Sequence, residues 1–173
     1  MSRAFVGIDP GVTGAVVVLE DGELEFHDTP VVSAGKKKVM DSARCAALLR
    51  DIRQQSGAGL MVIIEKVGSM PGEGVSSARS FGFGCGIWEG ILAALEIPYQ
   101  YVTPQRWQKE MLAGEPRPEK GQKRDKSVSR TVARRLWPLQ TEEALSRVKD
   151  HGRAEAALMA EWGRRIMSGG SIR

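Results

Sequence analysis

One stretch constrains this chain more than any other: Phe5-Val6-Gly7-Ile8-Asp9-Pro10-Gly11-Val12-Thr13-Gly14-Ala15-Val16-Val17-Val18-Leu19. Two short apolar segments flank a turn rich in Gly and Pro, which predicts a β-hairpin whose first strand is covered on both faces. Asp9 closes that strand, at the rim of a sheet. A charged side chain ending an apolar strand needs a partner. Other acids also stand at the ends of apolar segments: Glu65 closes Leu60-Met61-Val62-Ile63-Ile64, and Asp150 and Glu155 flank the start of the last helix. These four carboxylates are expected to converge on a metal ion, making an acidic site in a basic protein.

The charge balance supports half of that contrast. A net charge of +4 and a pI near 9.3 are compatible with an anionic partner, though many basic proteins bind none. The length of 173 residues suits a single domain over residues 1–173, a sheet covered by helices. Cys45 and Cys85 have no metal-ligand spacing and read as free thiols of a reducing compartment. The sequence shows no signal peptide and no apolar run near the ~20 residues that span a bilayer, so a cytoplasm-like location and no membrane partner are expected.

Along the chain, Asp21-Gly22 turns the second strand into a third around Leu24 to Thr29, giving an antiparallel meander. Pro30 to Met40, with Lys36, Lys37 and Lys38, reads as a solvated loop, or alternatively as a phosphate contact. A helix follows with Cys45, Leu48, Leu49 and Ile52 on one face, capped by Asp41 or Ser42 and ended at Ser56-Gly57. Leu60 to Ile64 then returns as a strand. A right-handed crossover lays it parallel to the first strand and brings Glu65 next to Asp9.

Ser76 to Leu95 is helical despite Gly82, Gly84, Gly86 and Gly90, each costing ~1 kcal/mol against Ala. Close packing of this helix over the sheet, or against a second copy of the chain, would account for them. Pro98 to Val102 forms a fifth strand, and Thr103-Pro104 starts a short helix. The region with Lys120, Lys123, Arg124, Lys126, Arg130, Arg134 and Arg135 is the most basic. Its apolar stripe of Val128, Val132 and Leu136 leaves the cations facing solvent, as a surface tracking phosphates. Trp137-Pro138 is expected to stop this helix and Thr141-Glu142-Glu143 to cap another through Val148. Small residues from Ala154 to Ala160 suit a last helix lying close on the sheet, and His151 reads as a surface or packing residue, or else as a general acid or base.

Three segments together resemble a known family. Gly7-Ile8-Asp9-Pro10-Gly11, Ile63-Ile64-Glu65 and Lys149-Asp150-His151-Gly152-Arg153-Ala154-Glu155-Ala156 are similar to RuvC-type Holliday junction resolvases of the RNase H-like superfamily. Met70-Pro71-Gly72-Glu73-Gly74-Val75, Phe81-Gly82-Phe83-Gly84 and Val102-Thr103-Pro104-Gln105-Arg106-Trp107 resemble the phage and chloroplast branch. The resemblance implies an α/β fold with a five-stranded mixed sheet, its last two strands parallel to the first, flanked by helices. It implies a homodimer that cuts four-way branched DNA symmetrically, with Asp9, Glu65, Asp150 and Glu155 holding two ions. In that family the last two acids are commonly three residues apart, whereas Asp150 precedes Glu155 by five.

By the same resemblance Lys126, and more loosely Lys109, hold the scissile phosphate, while Met70, Phe81 and Phe83 either stack on bases at the junction centre or pack in the core. Hard oxygen donors suit Mg²⁺ or Mn²⁺. Two other classes stay open: an actin-like phosphate-binding ATPase fragment, in which Asp-x-Gly follows a strand, and a branched-DNA-binding module whose acids are structural.

Overall fold

The computed structural model describes residues 3–66, 75–116 and 125–169. Strands β1 (Phe5–Asp9), β2 (Ala15–Glu20) and β3 (Glu23–Asp28) form the expected meander, and Gly22 takes the positive φ of its second turn. After the small hairpin β4 (Val31–Ala34) and β5 (Lys37–Met40) comes helix α1 (Ser42–Ser56). The Asp41 carboxylate accepts the Arg44 N–H at 3.1 Å and caps it, and the Gly57 N–H closes its other end on the Arg53 carbonyl. Strand β6 (Met61–Glu65) is parallel to β1, helix α2 spans Val75–Ala94, and β7 (Tyr99–Val102) is parallel to β6. The five-stranded order is β3-β2-β1-β6-β7, the mixed sheet expected from the sequence.

Helices α3 (Pro104–Met111), α4 (Ser127–Leu136), α5 (Pro138–Ala144) and α6 (His151–Met167) complete the chain. Strand alternation divides the core in two. Phe5, Val17, Leu19 and Ile63 face α6 and its neighbours, with Trp107, Leu158 and Trp162. Val6, Ile8, Val16, Val62 and Ile64 face α1 and α2, with Leu49, Trp88 and Leu92. Gly7 lies directly beneath α6, where a Cβ would run into the carbonyl of Ala156.

Three expectations need correction. Pro30 to Met40 is not a loop: Val31 pairs with Met40 and Ala34 with Lys37, because two apolar pairs precede a Gly35-Lys36 turn in which Gly35 takes φ 62°. Pro138 does not only stop α4; it occupies the first turn of α5, which ends at Ala144, and Val148–Asp150 is a single 3-10 turn. On α2, only Gly84 of the four glycines makes a close approach, against the Pro10 carbonyl; a Cβ at Gly82, Gly86 or Gly90 would meet nothing within 4 Å.

Candidate functional site

Asp9 ends β1 and pairs with Ala15 across the hairpin. Ile8 pairs with Ile64 in parallel register, so Glu65 emerges one residue on, at the same rim. Helix α6 crosses above: a Cβ on Gly152 would stand 2.9 Å from the Asp9 Oδ2. Glu155, one turn further along α6, completes the group. Three segments distant in sequence thus deliver Asp9, Glu65 and Glu155 to one place, with Lys126 close enough for its charge to act on all three.

The electrostatics follow from that crowding. Burial pushes the Asp9 carboxyl up to about 6, opposed by the N–H of Gly11, which lies 3.4 Å from its Oδ1, and by Lys126. Burial raises Glu65, only 8% exposed, to about 7. There the Trp107 indole N–H, donating to its Oε1 at 2.8 Å, works the other way, Asp9 adds to the rise and Lys126 opposes it. Glu155 is pushed up to about 8 by burial and then by Asp9 and Glu65, against Lys126 and a hydrogen bond from buried Ser129. Among the described residues no three His, Cys, Asp or Glu side chains form a group that could hold a metal ion as they lie.

Asp150 does not join them. Burial would raise its carboxyl, but Arg147 more than offsets this and holds it below the usual range. Both oxygens are taken: Oδ1 accepts Arg147 Nε at 3.0 Å and Nη2 at 2.7 Å, and Oδ2 accepts the Arg147 backbone N–H at 2.8 Å. Asp150 precedes α6 on the 3-10 turn, so its side chain is turned back along the chain. His151, the next residue and one helical turn before Glu155, instead meets Lys126: its Nε2 lies 3.1 Å from the Lys126 Nζ. Burial and the Lys126 charge lower His151 below its ordinary value, which leaves a neutral ring to accept from the ammonium. The spacing of four between His151 and Glu155 was the signal for this in the sequence.

The expected nucleic-acid contacts fall in several places. Lys36, Lys37 and Lys38 are exposed on the β4–β5 hairpin, and Lys109 is exposed on α3. Phe83 is 66% exposed on α2 and Phe81 partly buried. Arg130, partly buried, gives Nη1 to the Arg147 carbonyl at 2.8 Å; Arg134 likewise bonds the Leu145 carbonyl, and Arg135 pairs with Glu115. Met70, Lys123 and Arg124 lie outside the described residues. Cys85, read from the sequence as a free thiol, stands near Glu65 and Asp9; burial and the charges of Glu65, Asp9 and Glu89 push its thiol up to about 11, so it remains protonated.

No family model matches the chain. Over 130 residues it is 32% identical to the Holliday junction resolvase MOC1, chloroplastic, of Chlamydomonas reinhardtii, an alignment covering 75% of this chain and 14% of that much longer protein. Among solved structures, the RuvC of T. thermophilus in complex with a Holliday junction substrate superposes with a TM-score of 0.62 at 16% identity, over 97% of each chain. The yeast mitochondrial Holliday junction resolvase Ydc2 gives 0.54 at 12% identity, over 96% of this chain and 81% of the other. The chain has the RuvC fold, as the sequence resemblance implied.

Proposed function

We propose that this chain with a RuvC fold is a metal-dependent endonuclease that resolves four-way DNA junctions. The observation that carries the proposal is the meeting of Asp9, Glu65 and Glu155 with Lys126 at one rim of the sheet of a basic protein. An acidic cup in which, among the described residues, no arginine pairs any of the three is costly to the fold, and a divalent cation relieves that cost. The donors fit such a group: all three acids are hard oxygen ligands, and the neighbouring Cys85 is a neutral thiol and not a soft thiolate. Asp9, Glu65 and Glu155 would hold Mg²⁺ or Mn²⁺, with His151 one helical turn before Glu155. When bound, a pair of such ions supplies an activated water and neutralises the leaving oxygen of a phosphodiester.

The chain's own residues prepare the rest. Trp107 fixes the rotamer of Glu65, Ser129 that of Glu155, and the Gly11 N–H steadies Asp9. Neutral His151 accepts a hydrogen bond from Lys126 and so aims the ammonium, whose other two protons can hold a non-bridging phosphate oxygen.

Symmetric cutting of a four-armed substrate requires two sites, and α2 supports a homodimer. Gly82, Gly86 and Gly90 recur every four residues, each open where a Cβ would stand, at a cost of ~1 kcal/mol apiece in a lone helix. That cost has a purpose if a second α2 packs closely against them.

The test is direct. The purified protein with Mg²⁺ is expected to cut a four-way junction at paired positions, and Asp9→Asn or Glu65→Gln to bind the junction without cutting it. The loose spacing of the acids favours a second reading, a branched-DNA-binding module with structural carboxylates. It predicts no cutting in Mg²⁺ or Mn²⁺ and no effect of Asp9→Asn.

A further inference from the structure

The segment that leads from α5 into α6 is held by arginines. The carbonyls of Ala144, Leu145 and Arg147 each accept a guanidinium N–H, from Arg153, Arg134 and Arg130 in turn. Arg147 is pinned on every side. Its guanidinium and its backbone N–H both go to Asp150, and its carbonyl accepts Arg130 Nη1 at 2.8 Å. The entry to α6 is therefore a fixed post, and Arg130 is the side chain that ties the first turns of α4 to it.

Arg130 stands one helical turn after Lys126, and Arg147 one turn before His151. The Arg130–Arg147 bond thus repeats, one turn along, the contact of Lys126 Nζ with His151 Nε2 at 3.1 Å. Between these two rungs Ser129 reaches Glu155. The Val148 carbonyl takes a further hydrogen bond from His151. With Nε2 turned to Lys126, that donor is Nδ1, which leaves Nε2 as the acceptor. Arg130 itself is unlike a solvent-facing cation: it is partly buried, and its Nε is buried with no acceptor among the described residues. An arginine kept only for its charge would turn that N–H to water.

We propose that Arg130 is a positioning residue: its grip on the Arg147 carbonyl fixes α4 against the entry of α6 and so holds the Lys126 ammonium against His151, beside Asp9, Glu65 and Glu155. What the ammonium then does rests on the nuclease reading above; its placement does not. Arg130 bonds none of the three acids. Its leverage is geometric, since a misplacement of ~1 Å at a reacting centre can cost about 100-fold in rate. The sequence expectation for Arg130, a contact to DNA phosphate, is the rival role that the experiment separates from this one.

The experiment sets Arg130→Gln and Arg130→Lys beside the parent protein. In EDTA at pH ~8, where an imidazole is neutral, nitrogen NMR of His151, one of two histidines in the chain, is expected to show an unprotonated Nε2 in the parent. Arg130→Gln should average the two ring nitrogens. With Mg²⁺, Arg130→Gln is expected to lower kcat on a four-way junction by about 10–100-fold at unchanged KM. The same substitution made in Lys126→Ala should cost less than about twofold. Arg130→Lys keeps a donor and should lose less; it carries the same comparisons if Arg130→Gln does not fold. Junction affinity in EDTA should keep its salt dependence. A fall of ~0.9 in the slope of log K against log salt makes Arg130 a phosphate contact and overturns the proposal. An unchanged His151 spectrum overturns it too, as does an equal rate loss with and without Lys126. A changed spectrum in a protein that cuts nothing supports the positioning role and refutes the nuclease, so the two fail separately.

Discussion

The two ends of α6 treat a half-hidden carboxylate in opposite ways. At its C-terminal half, Glu161 is buried but accepts Arg164 Nε at 2.6 Å and Arg165 Nε at 2.8 Å. Burial would raise its carboxyl, but the two guanidiniums hold it below the ordinary value. At the N-terminal half, Glu155 has two acids and one lysine for neighbours and is pushed up to about 8. The first is an acid the fold has neutralised for its own stability. The second is left under strain, and Asp150, just outside the same helix, belongs with the first kind. Partnering, more than burial or position, separates structural acids from those available for chemistry.

Exchanging the two kinds tests this most strongly. Glu155→Gln is expected to lower cleavage by about 10³-fold or more while folding at least as well as the parent protein without metal. Glu161→Gln should do the reverse, leaving cleavage within about twofold and lowering stability by about 1–2 kcal/mol, a figure reduced because both arginines are half exposed. Cleavage rates beside denaturant midpoints decide, and loss of activity in both variants would erase the distinction.

A smaller effect is expected at the support of Glu65. Trp107→Phe keeps the packing of a fully buried ring but deletes the donor to Oε1. It should weaken Mn²⁺ binding by about 10-fold, read by the metal's magnetic resonance signal, with duplex affinity unchanged. A variant that loses stability but binds Mn²⁺ normally would make Trp107 only a core residue.

The smallest effect is in the pH dependence of stability. Asp9, Glu65 and Glu155 have folded values raised to about 6, 7 and 8, so between pH ~4.5 and 8 the native state holds more protons than the unfolded chain. Stability without metal should therefore fall as pH rises through that window. Glu161 and Asp150, held low, contribute stability that is lost only as pH falls below ~4. Melting in EDTA is expected to drop by about 3–6 °C from pH 5 to 9, and Mg²⁺ to restore most of it. A melting temperature that rises over this range would contradict the uncompensated cup.

Much of this was legible in the chain. Apolar runs ending in Asp9 and Glu65, joined by a right-handed crossover, placed two acids together on sequence grounds alone. Small residues in α6 foretold its close seat on the sheet. What escaped depended on which way a side chain turns. Asp150 and His151 are adjacent in sequence, and only the 3-10 turn before α6 decides that the first faces Arg147 and the second Lys126. The arginines of α4 looked free because their acceptors, the carbonyls of Leu145 and Arg147, belong to a turn with no sequence signature. The hairpin at Val31–Met40 was visible in its paired apolar residues, but the lysines at its tip argued for a loop.

The glycine beneath α6 has a further consequence. Since position 7 has no room for a single methyl group, the span between the Asp9 strand and the Glu155 helix is set by two polypeptide backbones in contact. Even alanine there would act as a shim, jacking the helix off the sheet and opening the gap between those carboxylates. The gauge of the acid pocket is thus built into the main chain, where substitutions elsewhere in the core have little leverage on it.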